Sequence, residues 1–203
     1  MEHQKIFPTN IFIEDNFIDI SKGPEYTDGC IHNMKKHIEK DWAKRDKNKR
    51  NFQTDSFLYS LKEFQPFADL ILNKNLENMK TLEYNVKLED LVMSGMWANV
   101  IAPGESHRAH THSNNLLSGV YYLHSDQNAG ITFQDPRPAA DVLVPRKIKN
   151  NSVNSNLMEY ASKMNRVIMF PSWLLHWVNV NTSTSNRISI SWNIHLKGQL
   201  GEH

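Results

Sequence analysis

One cysteine, Cys30, stands in a chain of 203 residues. No disulfide can form within the chain, so the core must hold by packing. Glycine and proline are scarce, eight of each, which excludes collagen-like and low-complexity architectures. Net charge is nearly absent, +1 with histidine neutral, so the overall balance calls for no nucleic-acid or membrane-surface partner. No apolar run approaches the roughly 18 residues of a membrane span. The N-terminal stretch lacks the basic start, apolar segment and cleavage site of a signal peptide. A soluble cytoplasmic protein is the expectation.

What is present suffices for one core: 39% apolar residues, with five Trp and nine Phe. A single domain over 1–203 is expected, with an N-terminal strand and supporting helices over 1–90 and a β core over 91–195. The basic run 44–50 reads as a solvated helix end or loop. Cys30, Ile31, Met34, Ile38 and Trp42 recur at three- and four-residue steps, predicting a helix over 24–44. A second helix is predicted from Pro66 to about Met79, with Phe67, Leu70, Ile71 and Leu72 on its buried side. Residues 5–17 look extended, with Ile11 and Ile13 on one face. The second half reads as short strands at 91–101, 108–112, 117–124, 131–134, 142–144, 167–170, 175–180 and 187–195. Many short strands at close spacing suggest a barrel or sandwich, mainly β, buttressed by the N-terminal helices. The polar stretch 135–165 is long for a barrel connection, and a lid is expected there.

His110 and His112 are two apart, and strand alternation would turn both imidazoles to one face. His176, in a distant strand-like segment, is a third candidate ligand. Imidazole suits iron, zinc, copper and nickel alike, so the ligand type does not choose the metal. His107, three residues before His110, would fall on the opposite face and reads as an outer or entry residue. The remaining six, His3, His32, His37, His124, His195 and His203, read as surface or helix histidines.

Residues 187–194 alternate polar (Arg187, Ser189, Ser191, Asn193) and apolar (Ile188, Ile190, Trp192, Ile194). A polar face closing a hydrophobic barrel is costly unless it lines a cavity that holds a polar ligand. Arg187 and Ser189 can clamp a carboxylate there, the guanidinium by a bidentate pair and the hydroxyl by a hydrogen bond. An edge strand with one face in water is the alternative.

An HxH pair, a distal His, then an Arg about ten residues later followed by x-Ser resembles the Fe(II)/2-oxoglutarate-dependent oxygenases. More narrowly, the chain is similar to members of that group found in tailed phages and marine bacteria. The matching motifs include Ile6-Phe7-Pro8-Thr9, Trp97-Ala98-Asn99-Val100, Ser118-Gly119-Val120-Tyr121-Tyr122-Leu123, Phe133-Gln134-Asp135-Pro136-Arg137, and Phe170-Pro171-Ser172-Trp173-Leu174-Leu175-His176. The resemblance implies a double-stranded β-helix core of jelly-roll, cupin-like type. It implies Fe(II) held by His110 and His176, and 2-oxoglutarate held at its distal carboxylate by Arg187 and Ser189. The wider superfamily places Asp or Glu where this chain has His112, so a three-histidine site and a two-histidine site with His112 outside it both stand. Asn99 and Tyr122 are expected as wall residues beside 2-oxoglutarate or substrate, and Arg137 either as a contact for a substrate acid at the cavity mouth or as a brace for its own loop.

The implied reaction is a dioxygenase's hydroxylation of an unidentified substrate, with release of succinate and CO2. Two other readings remain: a cupin-like module that binds a metal and a small acid without turnover, and a zinc hydratase or hydrolase. The expected partner is a small-molecule or peptide substrate, with no nucleic acid and no membrane. A homodimer is left open.

Overall fold

The computed structural model describes residues 1–2, 4–19, 28–137, 139 and 142–198. Among them are two α-helices and ten strands arranged in two sheets. Helix α1 (Asp28–Lys44) and helix α2 (Gln65–Thr81) match the two periodic segments. The expected start of the first, at 24–27, lies outside the described residues, as do His3 and His203. The strands are β1 (Phe12–Glu14), β2 (Phe52–Gln53), β3 (Leu91–Ile101), β4 (His107–His110), β5 (Leu117–His124), β6 (Ile131–Gln134), β7 (Leu157–Tyr160), β8 (Val167–Pro171), β9 (His176–Val178) and β10 (Arg187–Leu196).

Alternation along the central strands explains the layering. The larger sheet runs β1-β8-β5-β10-β3-β2 and the smaller β4-β9-β6-β7, with every strand pairing antiparallel. One face of the larger sheet, carrying Met96, Ala98, Tyr121, Leu123, Met169, Ile190, Trp192 and Ile194, packs against Met34 and Ile38 of α1 and Phe67 and Ile71 of α2. Its other face turns Val120, Tyr122, Ile168 and Phe170 toward Ile131 and Phe133 of the smaller sheet. The basic run 44–50 forms the end of α1 and the turn after it, where the Arg45 guanidinium lies over the Trp42 ring.

Several expectations are corrected. Residues 142–144 form no strand, and their three side chains are exposed. The strand of this region is β7, inside the stretch expected as a lid, so the irregular connection ends at Asn156; residues 138, 140 and 141 lie outside the described set. Of the extended segment 5–17 only β1 is a strand. Ile11 packs into the inter-sheet cluster while Ile13 is exposed. On α2 the fully buried apolar residues are Phe67, Ala68, Ile71 and Met79; Leu70 and Leu72 sit at the margins.

Gly119 of β5 lies across from Trp192 of β10, and a β-carbon there would run into the buried indole. Trp192 is in turn braced edge-on by Phe67. Gly119→Ala is therefore expected to cost about 1–3 kcal/mol through overpacking. A thermal melt followed by tryptophan fluorescence checks this; an unchanged midpoint would mean the indole has room to shift.

Candidate metal centre

Cross-strand pairing places the first two histidines. His110 of β4 stands directly opposite His176 of β9, with ring centroids 4.4 Å apart. His112 lies beyond the end of β4, so shared strand alternation is not what aims it. Its backbone N–H donates to the Ser172 carbonyl at 2.9 Å. Ser172 is itself pinned: its hydroxyl shares a 2.7 Å hydrogen bond with Ser118, which donates onward to Asn193 Oδ1 at 2.8 Å. The three imidazoles converge, with one ligand nitrogen from each lying within 4.8 Å of the others.

The ring nitrogens are prepared for coordination. His176 Nδ1 lies 2.8 Å from the Leu174 carbonyl and His110 Nδ1 lies 2.8 Å from the Arg108 carbonyl. A carbonyl only accepts, so both Nδ1 atoms carry hydrogen and each Nε2 keeps its lone pair for an ion. Burial pushes the His176 imidazole down to about 3, partly opposed by the Leu174 bond and aided by the neighbouring histidines. Burial, then His110 and His107, pushes His112 down to about 4. Both rings are neutral near pH 7, the form that binds metal.

These shifts carry a sign for stability. The unfolded chain protonates its histidines near the ordinary value of 6.5, whereas folded His176 and His112 resist until about 3 and about 4. Between those values the unfolded state binds more protons, so acid favours unfolding. The ligand-free protein is expected to melt at lower temperature at pH 5 than at pH 7, and His176→Gln to show a shallower dependence. Equal slopes in the two proteins would show that other groups govern acid stability.

His107 departs from expectation. Across from two residues of β9, His176 and Val178, β4 spends three steps between His107 and His110, a β-bulge. The extra residue turns His107 to the same side as His110, with ring centroids 4.6 Å apart. Simple alternation had put it on the opposite face.

The polar face of β10 lines the cavity behind the histidines. β10 is a central strand between β5 and β3, which removes the water-exposed edge alternative. Arg187 is 3% exposed and Ser189 1%. Arg187 Nη1 donates to Ser189 Oγ at 3.0 Å, and the guanidinium lies over the Tyr122 ring at 4.8 Å. Arg187 Nε and the Tyr122 hydroxyl are buried and form no well-aligned hydrogen bond, although the phenol and the guanidinium are close enough to interact electrostatically. No carboxylate lines this narrow cavity, and Arg187 forms no ion pair among the described residues. Asn99 also lines it, donating to Ser191 Oγ at 3.4 Å, and so does Trp97, whose ring meets His112 at 5.8 Å. The sequence alone assigns no role to Trp97, Ser118 or Ser172; Asn193 lies on the expected polar face of its strand, where it accepts from Ser118.

Arg137 is not brought to the histidines. Its guanidinium grips Asp135 through Nε at 3.0 Å and Nη2 at 2.6 Å, and it borders a separate groove beside Met158 and residues 4–9. A brace for its own loop is what the structure shows. Of the other described histidines, His37 is engaged by Glu63 and Asp41, and none of the rest lines the cavity.

Residues 95–193, just under half of the chain, match the model of a family described as "Putative 2OG-Fe(II) oxygenase". No curated protein matches. Among solved structures, a prolyl-4-hydroxylase from Pseudomonas putida is similar with TM-score 0.58 and 10% identity, over 94% of this chain and 89% of that one. HygX from Streptomyces hygroscopicus, solved with nickel and 2-oxoglutarate, gives TM-score 0.61 and 10% identity over 93% and 83%. SnoN, an alpha ketoglutarate dependent epimerase from nogalamycin biosynthesis, gives 0.62 and 9% over 92% and 76%. At these identities the neighbours establish the fold, a double-stranded β-helix. The matched family is described as an Fe(II)/2-oxoglutarate oxygenase family, HygX has been solved with 2-oxoglutarate and nickel and also with iron, and SnoN is alpha ketoglutarate dependent; the convergent histidines here can bind such a metal.

Proposed function

We propose that this chain is an Fe(II)- and 2-oxoglutarate-dependent oxygenase in which His110, His112 and His176 hold the ion and Arg187 holds the cosubstrate. The observation that carries this reading is the buried, anion-free guanidinium of Arg187 in the same cavity as three convergent imidazoles. A buried cation without a partner is costly. A ligand with a chelating end for the metal and a carboxylate at the other end answers both features at once. 2-Oxoglutarate is such a ligand.

When bound, iron and 2-oxoglutarate supply the oxidising chemistry, with succinate and CO2 as products. The protein's own residues bind and orient. Arg187, already bonded to Ser189, would hold the distal carboxylate, and the buried Tyr122 hydroxyl beside it could donate to the same group. Asn99 stands on the cavity wall as a further donor. Phe133 and Phe170 pack against the His176 ring and exclude water from behind it. A hydratase built on zinc would leave the charge of Arg187 unanswered.

The test is an anaerobic titration with Fe(II) and 2-oxoglutarate, followed by their visible charge-transfer band. A one-to-one band supports the reading; Fe(II) binding with no band on adding 2-oxoglutarate would overturn it. Succinate formation under oxygen separates an oxygenase from a module that only binds.

His112→Ala is expected to reduce Fe(II) affinity beyond the roughly 10–100-fold that loss of an outer hydrogen-bond partner costs, comparably to His110→Ala. His112→Asp should hold iron, with an anion in place of a neutral ligand. Competition against a calibrated chelator measures both. Tight iron in His112→Ala, with a spectrum like the wild type's, would leave a two-histidine site.

A further inference from the structure

We propose that the prime substrate is an anion and that the His107 imidazole, at the mouth of the histidine cavity, donates a hydrogen bond to its charged group. This inference rests on the oxygenase reading above and adds the substrate's charge to it.

The charge inventory of the cavity points to an anion. A divalent ion and the Arg187 guanidinium bring three positive charges, and the cosubstrate dianion removes two. Among the described residues no Asp or Glu lines the cavity to remove the third. The tally is the same whether or not His112 coordinates, because an imidazole ligand is neutral. In a site of low polarity an uncompensated charge attracts an anion and repels a cation far more than it would in water. A carboxylate, phosphate or sulfate on the substrate would bring the loaded cavity close to neutrality.

The position of His107 supplies the contact. The bulge in β4 holds its ring beside His110, and it lines the same cavity as Arg187 and Ser189. It stands outside the cluster formed by His110, His112 and His176. Unlike them it is solvent-exposed, and no hydrogen bond or ion pair engages its ring nitrogens among the described residues. An exposed ring with an unused N–H, on the wall of a cavity whose only cationic side chain among the described residues is the buried Arg187, suits a substrate too large to enter whole.

The experiment uses the full chain loaded anaerobically with Fe(II) and 2-oxoglutarate, with acetate and methylammonium as minimal probes of opposite charge. Acetate is expected to bind saturably by calorimetry and to shift the charge-transfer band, while methylammonium does neither. His107→Ala should weaken acetate about 10- to 100-fold, the range for losing a hydrogen bond to a charged group. His107→Gln, which keeps an N–H donor, should recover much of that, and 2-oxoglutarate affinity should be unchanged in both variants. Undiminished acetate binding in His107→Ala, or methylammonium binding as well as acetate, overturns the proposal. So does a His107→Ala loss of 2-oxoglutarate affinity, which would place His107 in the cosubstrate pocket. A normal band with no response to acetate defeats this inference alone; an absent band defeats the oxygenase reading and this inference with it.

Discussion

His176→Ala is expected to abolish stoichiometric Fe(II) binding and, unlike His110→Ala, to destabilise the protein as well. Both side chains present an Nε2 freed by an Nδ1–carbonyl hydrogen bond, so losing either should empty the site. Their surroundings differ. His176 is buried, with its ring 4.7 Å from Phe170 and 5.9 Å from Phe133, whereas His110 sits on an exposed edge strand. Truncating the buried ring leaves a hole between two aromatic side chains, at a cost of about 2 kcal/mol or more. Cavity ligands as a class would be expected to carry little packing; His176 is the exception because β9 lies between β4 and β6. Metal analysis after gel filtration and a thermal melt of each metal-free variant separate the two effects. Unchanged metal content in both variants would sink the ligand assignment, and a melting temperature equal in both would sink the packing argument.

The parts of this protein legible in its sequence are those governed by long, regular alternation. Residues 187–194 alternate because β10 divides a helix-packed apolar face from a polar cavity face, and both faces were readable without coordinates. The bounds of β3, β5 and β6 also agree with the expected strands, although β5 and β6 are buried on both faces and are marked by apolar runs between turn residues rather than by alternation. Short segments within the polar stretch 135–165 were not legible. Val142, Leu143 and Val144 carry strand-forming side chains, yet three apolar residues ahead of Pro145 do not pair, and the nearby Leu157–Tyr160 does. Pairing partners decide such cases, and a single sequence does not name them.

The site divides the same way. That His110, His176, Arg187 and Ser189 share one cavity agrees with the spacing, the alternation and the family resemblance. His112 was found for a reason the fold does not use: its position comes from the Ser172 carbonyl, not from a shared strand face. His107 was turned away by alternation because a bulge exists only in a paired strand and leaves no mark on spacing. For Arg137 the sequence leaves a substrate contact and a loop brace open, and its ion pair with Asp135, two residues away, agrees with the brace.

Arg187→Met is expected to do two opposite things: remove 2-oxoglutarate binding and raise the stability of the ligand-free protein. The guanidinium is buried and has no anionic partner among the described residues; Nε lacks any hydrogen bond, and burial lowers its pKa. Such a group destabilises the empty fold, and a flexible apolar side chain of similar length fills its space over the Tyr122 ring without that penalty. A gain of about 1 kcal/mol or more follows, read as a higher melting midpoint without ligands. The same substitution removes a charge-assisted pair with the distal carboxylate, costing about 3 kcal/mol in cosubstrate affinity, or roughly a hundredfold. Arg187→Lys should restore part of the affinity, because an ammonium supplies the charge but not the planar fork that also reaches Ser189. Calorimetry with 2-oxoglutarate and a redox-inert divalent metal, beside melts of the unloaded proteins, measures both effects. If Arg187→Met binds 2-oxoglutarate as the wild type does, the carboxylate is held elsewhere. If it loses affinity and also melts earlier, the guanidinium is a structural prop whose removal disturbs the cavity, and the picture of a cation kept waiting for its anion is wrong.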